Sequence, residues 1–453
     1  MKIKETVTAQ RAFFESGGTL DYAFRREMLL RLDGGIDKYA GELIGALKAD
    51  LGKSDFESYM CEIGVVKAEI KCALKGLKRW MRPKRVRTPF HQFPSGGRIY
   101  YEPFGVVLIM SPWNYPFQLT VNPLVAAIAA GNCAFIKLSR YSQATSGVIV
   151  KMLGEIFPPE YVAAATGGRE ANAEVLEERF DYIFFTGSTA VGKAVMAAAA
   201  KNLTPVSLEL GGKSPCIVDG TFPMRTAARR IIWGKLINSG QTCVAPDYVL
   251  VKREYADALK KELVRAVEAF YGKDVLHNAD YPKMISERHY SRVKALIEGA
   301  ETYYYGGSLD EERKIAPAIL TGVKLDDPVM AEEIFGPVLP IIEVDDAEDA
   351  ARIVRSRPKP LALYLFSHDK KAQKKFMRTV SFGGGCINDT VAHLAVDGLP
   401  FGGVGDSGMG RYHGREGFRT LSHQKSVLHK GDFDMPVRYF PKKNKIGMLK
   451  KFL

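Results

Sequence analysis

The sequence predicts an α/β protein built on mainly parallel, doubly wound sheets. Residues 106–110 are apolar throughout, as expected of a parallel strand that is buried on both faces. Strand-like apolar runs then alternate with helical patterns over residues 134–193 and again over residues 340–366. Such alternation is typical of βαβ units, whose helices cover both faces of a parallel sheet.

The composition excludes several classes of protein but does not identify the function. The chain has 453 residues, which is room for two or three domains, and its net charge of +13 favours anionic ligands. No nucleic-acid-binding motif, secretory signal or membrane-length apolar run is present in the sequence, so we expect no nucleic-acid partner and no integral membrane segment. The cysteines are scattered without CxxC pairs, which indicates a reducing, cytoplasmic setting with no metal site. They are Cys61, Cys72, Cys133, Cys216, Cys243 and Cys386.

The first part of the chain is predicted to be helical over residues 8–80, with Pro83 ending the region. Strands follow over residues 97–110. Six basic residues lie within residues 78–87. A nucleic-acid patch is one interpretation of that cluster, but a solvated helix end and linker is the more common one.

Asn114 lies in a proline-bounded loop, residues 111–117, directly after the apolar strand. Ligands of open α/β sheets bind beyond the carboxyl ends of strands. An asparagine amide there is suited to holding a carbonyl oxygen as that oxygen becomes negative. The alternative is an asparagine that simply forms a turn.

A glycine turn between a predicted strand and helix, residues 187–193, fits the first seven positions of the phosphate-loop pattern. The eighth position fails, because Ala194 stands where a hydroxyl residue would hold Mg²⁺. A helix that begins with small residues can still receive a phosphate through its free amides. The turn therefore predicts a phosphate or pyrophosphate site of undetermined type.

Glu209 ends the strand predicted over residues 206–210, on the face opposite Leu208 and Leu210. A carboxylate at a strand end beside a cleft can act as a general base if its pKa is raised. The alternative is a surface glutamate in an ion pair.

Cys243 lies among small and polar residues after an apolar segment, in the run Asn-Ser-Gly-Gln-Thr-Cys. A reactive thiol needs such a polar, partly open setting. The alternative is a structural cysteine buried as a small apolar residue. Further on, residues 330–340 are predicted to be a loop, and the basic tail of residues 442–453 is either a packed terminus or a weak contact with an anionic membrane.

Together these motifs resemble the aldehyde dehydrogenase superfamily over essentially the whole chain. The chain is most similar to the class 3, fatty and aromatic aldehyde, branch, given its short N-terminus and its Ala-Pro-Asp-Tyr at residues 245–248. The basic tail does not match the apolar anchor of that branch's membrane-bound members. Six motifs appear in the family's order: Pro-Trp-Asn-Tyr-Pro-Phe at 112–117, Phe-Thr-Gly-Ser at 185–188, Leu-Glu-Leu-Gly-Gly-Lys-Ser-Pro at 208–215, Gly-Gln-Thr-Cys at 240–243, Glu-Glu-Ile-Phe-Gly-Pro at 332–337 and Pro-Phe-Gly-Gly at 400–403.

The resemblance implies an aldehyde dehydrogenase fold in three parts. These are a Rossmann-like cofactor domain over residues 1–209, with 97–103 as a projecting strand, and an α/β catalytic domain over 210–395. Residues 396–453 would form a return segment with an oligomerisation strand and tail. A homodimer is expected, bridged by this small β element.

The resemblance also implies the reaction, an NAD- or NADP-dependent oxidation of an aldehyde to a carboxylic acid. Cys243 would form a thiohemiacetal and then a thioester, Asn114 would hold the oxyanion, and Glu209 would activate water. The implied cofactor residues are Trp113, Lys137, Arg140, Gly187, Ser188, Val191, Gly192, Glu333 and Phe335. Residues implied to line the aldehyde tunnel are Tyr115, Leu119 and Trp233.

One departure from the family pattern bears on the cofactor. The usual Lys-Pro-Ser-Glu is replaced by Lys-Leu-Ser-Arg at residues 137–140. That glutamate would repel a 2′-phosphate, whereas Arg140 could pair with one. We therefore expect NADP to serve at least as well as NAD, unless Arg140 points to solvent.

Three other functions compete with this interpretation. A CoA-acylating aldehyde dehydrogenase would have little use for the base Glu209. A phosphate-loop NTPase is opposed by Ala194. A non-catalytic protein on the same fold is opposed by the presence of Cys243, Glu209 and Asn114 together.

Overall fold

Helices occupy the first eighty residues and strands begin at Lys84, as the sequence predicts. The computed structural model describes residues 2–434, 446, 447 and 450. The α-helices are α1 (Ile3–Glu15), α2 (Tyr22–Leu51), α3 (Asp55–Ser58), α4 (Gly64–Trp80), α5 (Gln118–Ala130), α6 (Gln143–Ile156), α7 (Arg169–Glu177), α8 (Thr189–Ala200), α9 (Met224–Leu236), α10 (Ala256–Tyr271), α11 (Glu287–Ala295), α12 (Pro328–Ala331), α13 (Ala347–Arg355), α14 (Lys370–Thr379) and α15 (Gly414–Thr420).

The strands form two large sheets and two small ones. They are β1 (Lys84–Val86), β2 (Ser95–Pro103), β3 (Val106–Met110), β4 (Cys133–Lys137), β5 (Val162–Ala165), β6 (Tyr182–Thr186), β7 (Val206–Glu209), β8 (Pro215–Val218), β9 (Tyr248–Lys252), β10 (Thr302–Tyr305), β11 (Ser308–Leu309), β12 (Lys314–Ile315), β13 (Ala318–Leu320), β14 (Val338–Val344), β15 (Ala362–Phe366), β16 (Gly384–Ile387), β17 (Gly408–Met409) and β18 (Ser422–Lys430).

The six-stranded sheet has the order β17-β7-β6-β3-β4-β5 and is parallel from β7 to β5. The chain starts at β3, runs outward through β4 and β5, and then returns to the other side of β3 as β6. A crevice opens where the strand order reverses in this way, and ligands of such sheets bind there. The loops that follow β3 and β6 flank this switch point.

The seven-stranded sheet has the order β10-β13-β14-β9-β8-β15-β16, and only β10 pairs antiparallel within it. Its central strands β8 and β15 are buried throughout and β9 is buried except at Lys252, because helices pack on both faces. The predicted α/β fold class, with mainly parallel sheets, is confirmed.

The three-stranded sheet is antiparallel, in the order β1-β2-β18, and joins distant parts of the chain. Residues 408–430 contribute strands to two sheets. In the six-stranded sheet β17 pairs with β7, and in the three-stranded sheet β18 pairs with β2 along nine residues. A two-stranded ribbon, β11-β12, completes the strands of the described residues.

The predicted loop over residues 330–340 is wrong at both ends. Helix α12 covers its first two residues, because Pro328 supplies a preorganised first helical position. Strand β14 begins at Val338. Most of the tail over residues 442–453 lies outside the described residues. In the part of the chain that is described, no helix combines the length and apolar character needed to cross a membrane.

Candidate active site

The loop that carries Cys243 has an unusual backbone. Helix α9 ends at Leu236, and Asn238, Ser239 and Gly240 then take φ values of 53°, 52° and 76°. Consecutive left-handed residues are costly for L-amino acids and persist only where the surroundings hold them. We call residues 238–243 the nucleophile loop.

Gln241 is the main internal brace of this loop. Its side chain donates to the carbonyls of Asn238 (3.0 Å) and Lys283 (3.1 Å) and accepts from the amide of Ile285 (3.0 Å). Gly240 packs directly on the backbone of Gly336, so a Cβ there would overlap that carbonyl. The loop therefore has little freedom around Cys243.

Asn114 is brought to the same loop from the end of β3. Its buried side-chain amide donates to the carbonyl of Gln241 at 3.1 Å. The backbone carbonyl of Asn114 accepts hydrogen bonds from the side chains of Asn238 (2.8 Å) and Lys53 (3.0 Å). One N–H of the Asn114 amide is thus committed to the nucleophile loop, and the amide carries a second.

Three buried charged residues support these contacts, and sequence reasoning missed them. Lys53 and Glu62 form a fully buried ion pair of 2.6 Å, and Glu62 also accepts from the amide of Phe117 at 3.0 Å. Glu57 accepts from the amide of Asn238 at 2.7 Å, and burial raises its pKa to about 7. Charged side chains in a helical stretch are normally exposed, so no local signal marked these as buried.

Glu209 lies at the end of β7 with its side chain only 3% exposed. Neither carboxylate oxygen has a hydrogen-bond partner among the described residues. Burial alone raises the pKa of this carboxyl well above its ordinary value. An unpartnered carboxyl of this kind binds a proton tightly, which is what a general base requires.

Two nearby carboxylates, those of Glu333 and Glu209, affect the pKa of the Cys243 thiol. Burial raises its pKa most, and Glu333 and then Glu209 raise the pKa further. The backbone amides of Cys243 and Val244 act on the sulfur in the opposite direction. The resting residue is therefore a neutral thiol, and its proton must be removed before it can attack.

Glu333 reaches this centre because Gly211 has no side chain. A Cβ at Gly211 would overlap the Glu333 carboxylate. Burial and then Asp247 raise the pKa of Glu333 to about 8. The structure thus brings together Cys243, Glu209 and Glu333 from three separate motifs.

The ion pair between Lys213 and Asp247 holds the loop that carries Glu333 in place. Lys213 contacts Asp247 at 2.5 Å and donates to the carbonyl of Glu332 at 2.9 Å, while Asp247 accepts from the amide of Ile334 at 3.0 Å. Neither Lys213 nor Asp247 was singled out in the sequence, although both lie inside the motifs.

Trp113 and Phe335 face each other across the crevice. Their rings are 5.4 Å apart, edge to face. Phe335 has a φ of 52°, which turns its side chain back towards the loop after β3. The two predicted cofactor residues therefore come together from different sheets.

Lys137 ends β4, Arg140 lies three residues further on, and their side chains contact Gly167 and Gly168 respectively. Lys137 donates to the carbonyls of Leu138 (2.8 Å) and Gly167 (2.7 Å), and burial lowers its pKa to about 8. Arg140 is exposed, lies over the Tyr141 ring and borders Gly168. No carboxylate pairs with Arg140 among the residues described.

The glycine turn after β6 leads into α8. The amide of Gly187 donates to the carbonyl of Glu209 at 3.0 Å, and Gly192 packs against Leu210. Ser188 is the N-cap but makes no side-chain capping bond, and Val191 is 43% exposed. An open helix N-terminus at the carboxyl end of β6, two strands from the end of β4 in the same parallel sheet, fits the phosphates of a dinucleotide.

Two of the predicted tunnel residues form a small apolar cluster next to the nucleophile loop. Tyr115 and Leu119 pack with Ile237, and Cys61 borders them. The Tyr115 hydroxyl bonds to Thr242 at 2.6 Å, which ties the cluster to the nucleophile loop. Trp233 is not part of this cluster and is 37% exposed on α9.

Comparison with known proteins agrees with this arrangement. A sequence model of the aldehyde dehydrogenase family matches residues 1–427. The chain belongs to the aldehyde dehydrogenase family. Its predicted fold and its predicted reaction, NAD(P)-dependent oxidation of an aldehyde, are confirmed, and these similarities favour neither the CoA-acylating nor the NTPase alternative.

Relatives at high identity cover nearly the whole chain. The 4,4'-diaponeurosporen-aldehyde dehydrogenase of Staphylococcus aureus is 45% identical over 453 residues, covering 99% of each chain. The dimeric, NADP-preferring aldehyde dehydrogenase of Rattus norvegicus is 44% identical and covers 94% of each. The substrate-bound structure of Staphylococcus aureus AldH superposes with a TM-score of 0.97 at 44% identity over 99% of each chain. Relatives named as aldehyde dehydrogenase family 3 members, at 44% and 42% identity, confirm the predicted resemblance to the class 3 branch.

Proposed function

We propose that Cys243 is the nucleophile of this aldehyde dehydrogenase and that Glu209 is its general base. The observation that carries the proposal is the convergence of a neutral thiol with a buried carboxyl that has no other partner among the described residues. In its ionised form, Glu209 takes the thiol proton. The thiolate then attacks the aldehyde carbon, a C–S bond forms and the carbonyl electron pair moves to oxygen.

Asn114 and the backbone amide of Cys243 stabilise the resulting oxyanion. The Asn114 side chain already donates to Gln241, which holds its amide beside the nucleophile loop. Such fixed donors need no reorganisation as negative charge develops. The nicotinamide cofactor, when bound, supplies the hydride acceptor that turns the thiohemiacetal into a thioester.

Hydrolysis of the thioester returns the enzyme to its resting state. Glu209 first releases the thiol proton to solvent and then, ionised again, removes a proton from water as the water attacks the thioester carbon. The C–S bond then breaks, the acid leaves, and protonated Glu209 returns its proton to the Cys243 thiolate. A raised pKa suits a base that must accept and release a proton twice in each cycle.

The cofactor is held along the switch-point crevice in this proposal. Gly187, Ser188, Val191 and Gly192 receive the pyrophosphate at the start of α8. Lys137 contacts the adenosine ribose. The remaining residues, Glu333, Phe335 and Trp113, hold the nicotinamide ribose end.

NADP serves at least as well as NAD in this proposal, because Arg140 is an exposed cation next to the proposed ribose site and has no carboxylate partner among the described residues. The rat relative is itself named as NADP-preferring. Arg140→Glu should lower the kcat/KM ratio of NADP to NAD by roughly 10-fold or more, as expected for replacing a charge-assisted bond by repulsion. The mutant's rates with NAD serve as the control, and an unchanged ratio would exclude this role.

The primary test of the catalytic proposal is cofactor reduction with a panel of aliphatic and aromatic aldehydes in the absence of CoA. Cys243→Ala should lose at least roughly 10⁴-fold in kcat and keep its fold. Turnover that appears only with added CoA would instead indicate the acylating reaction. Residual activity within 10-fold of wild type would exclude Cys243 as the nucleophile.

Two further proposals concern the quaternary structure and the cellular location of the protein. We propose a homodimer, since the rat relative is named as dimeric and one face of the three-stranded sheet exposes Val86 and Leu428. We also retain the division into a cofactor domain (1–209), a catalytic domain (210–395) and a return segment (396–453). The free cysteines favour a cytoplasmic location. Light scattering would measure the dimer, and fractionation would measure the location.

A further inference from the structure

The three-stranded sheet has two chemically different faces. Its register pairs Arg85 with Arg98 and places Val427 opposite Arg98 on β18. Because side chains alternate along a strand, the face of Arg85 and Arg98 also carries residues 100 and 102 of β2 and 423, 425 and 429 of β18. We call this the basic face. Its members are Arg85, Arg98, Tyr100, Glu102, His423, Lys425, Val427 and His429.

Charge on the basic face is poorly compensated. Arg85 and Arg98 are directly opposite each other in an antiparallel pair, where like charges destabilise the sheet. Both are exposed, and neither has an ion-pair partner among the described residues. The face holds one carboxylate, Glu102, which already pairs with Lys425 and His423. This arrangement lowers the stability of the isolated sheet and raises its affinity for an anionic surface.

The opposite face of the sheet mixes aliphatic side chains with polar ones, among them Lys84, Gln424, Ser426 and Lys430. Val86 pairs with Gly97, which in turn faces Leu428, and the side chains of Val86 and Leu428 are 43% and 50% exposed. A second copy of the chain would cover this face, as in the proposed dimer. Two basic faces would repel each other, so the basic face needs a different partner.

We propose that the basic face docks the enzyme on an anionic lipid surface. Arginine and lysine side chains near such a surface are attracted to its negative potential, each by an amount equivalent to roughly 5-fold in partitioning. The attraction is peripheral and reversible and needs no membrane-spanning helix. It goes beyond the proposed catalytic function, because it concerns where the enzyme meets its substrate.

Two features favour lipid over nucleic acid as the partner. The connection between β1 and β2 carries Phe90 and Phe93, which are stacked at 6.3 Å and are 68% and 59% exposed. Two aspartates, Asp432 and Asp434, follow β18 closely. Beyond them, residues 435–453 of the sequence have six basic residues, no acidic residue and interleaved Phe, Leu, Ile and Met. Basic segments with large apolar side chains are typical of interfacial membrane binding. Nucleic-acid patches combine basic residues with base-stacking aromatics and have no need of aliphatic ones.

The test is co-sedimentation of the full-length enzyme with vesicles of phosphatidylcholine alone or mixed with phosphatidylglycerol. We expect binding to the anionic vesicles only, and we expect it to be lost between about 0.1 M and about 1 M salt, over which the Debye length falls from roughly 10 Å to roughly 3 Å. The double variant R85E/R98E should bind at least roughly 25-fold more weakly. Its oxidation of a small soluble aldehyde should remain unchanged.

The matched control is K261E/K374E, which reverses two exposed lysines of α10 and α14 and changes the net charge equally. This control should bind vesicles within a few-fold of wild type. The single variant R85E places opposite charges across the strand pair and should bind more weakly without losing thermal stability. That combination separates lipid binding from misfolding.

Several results would overturn the proposal. Wild-type enzyme that stays in the supernatant with anionic vesicles would exclude it, as would an equal loss in both double variants, which would show a net-charge effect. Undiminished binding of R85E/R98E would assign any attraction to the tail. Fluorescence anisotropy with a labelled DNA duplex completes the test, because Arg85-dependent duplex binding without vesicle binding would identify a nucleic-acid surface.

Discussion

The nucleophile loop and the glycine turn before α8 are built in opposite ways. The first has three left-handed residues, is largely buried, and has its polar groups bonded to other parts of the protein. The second begins a helix with an N-cap serine that makes no side-chain bond and leaves Val191 exposed. The reacting thiol is thus held by the protein, whereas the phosphate-receiving end leaves its donors for a ligand to satisfy.

Among substitutions around the nucleophile loop, that of Glu209 should have the largest effect on turnover. Glu209→Gln keeps the shape but removes the base, so we expect kcat to fall by roughly 10²–10⁴-fold. Thioester should accumulate, and mass spectrometry of quenched enzyme should show the acyl adduct on Cys243. A rate near wild type with no adduct would assign water activation to another group.

The same variant tests the burial of that carboxyl. Because burial raises the pKa of Glu209 in the folded state, its stabilising contribution is present below the ordinary value of 4.5 and is lost as pH rises towards the raised pKa. Glu209→Gln removes that loss. In urea unfolding, its free energy of unfolding should exceed that of wild type at alkaline pH and differ little from it near pH 4.5.

Lys53→Met tests whether the buried ion pair supports the nucleophile loop. It leaves Glu62 unpaired in the interior, which should cost about 3–5 kcal/mol in urea unfolding, and the double variant K53M/E62M should cost less. Since Lys53 holds the Asn114 carbonyl, kcat should fall by roughly 10-fold with the KM for cofactor unchanged. If the double variant lost as much unfolding free energy as Lys53→Met alone, the two buried charges would not be coupled.

Ser188→Ala, in the glycine turn before α8, should have the smallest effect of these substitutions. With no capping bond to lose, its unfolding free energy should change by less than about 0.5 kcal/mol, whereas its KM for cofactor should rise roughly 3–10-fold. Asp346→Ala is the control, because the Asp346 side chain does cap α13 and its loss should cost about 1 kcal/mol without changing that KM. Reversed effects would mean that Ser188 has a structural role.

Local motifs carried much of the prediction. Cys243, Asn114 and Glu209 could be selected from the sequence because each lies in a short run whose residue types suit one chemical task. The alternation of strands and helices likewise predicted both large sheets. The loop over residues 330–340 was misjudged because α12 is a single short helix with a weak local signal.

By itself the sequence determined the fold class and the motifs from which the site is built, because hydrophobic periodicity and turn chemistry act over a few residues. Only the tertiary structure decided which charges are buried and which face each other. Lys53 contacts Asn114 sixty-one positions away, Glu333 packs on Gly211, and Arg85 lies opposite Arg98. Such pairs depend on how distant elements pack, and burial then sets the pKa of each group by removing it from water.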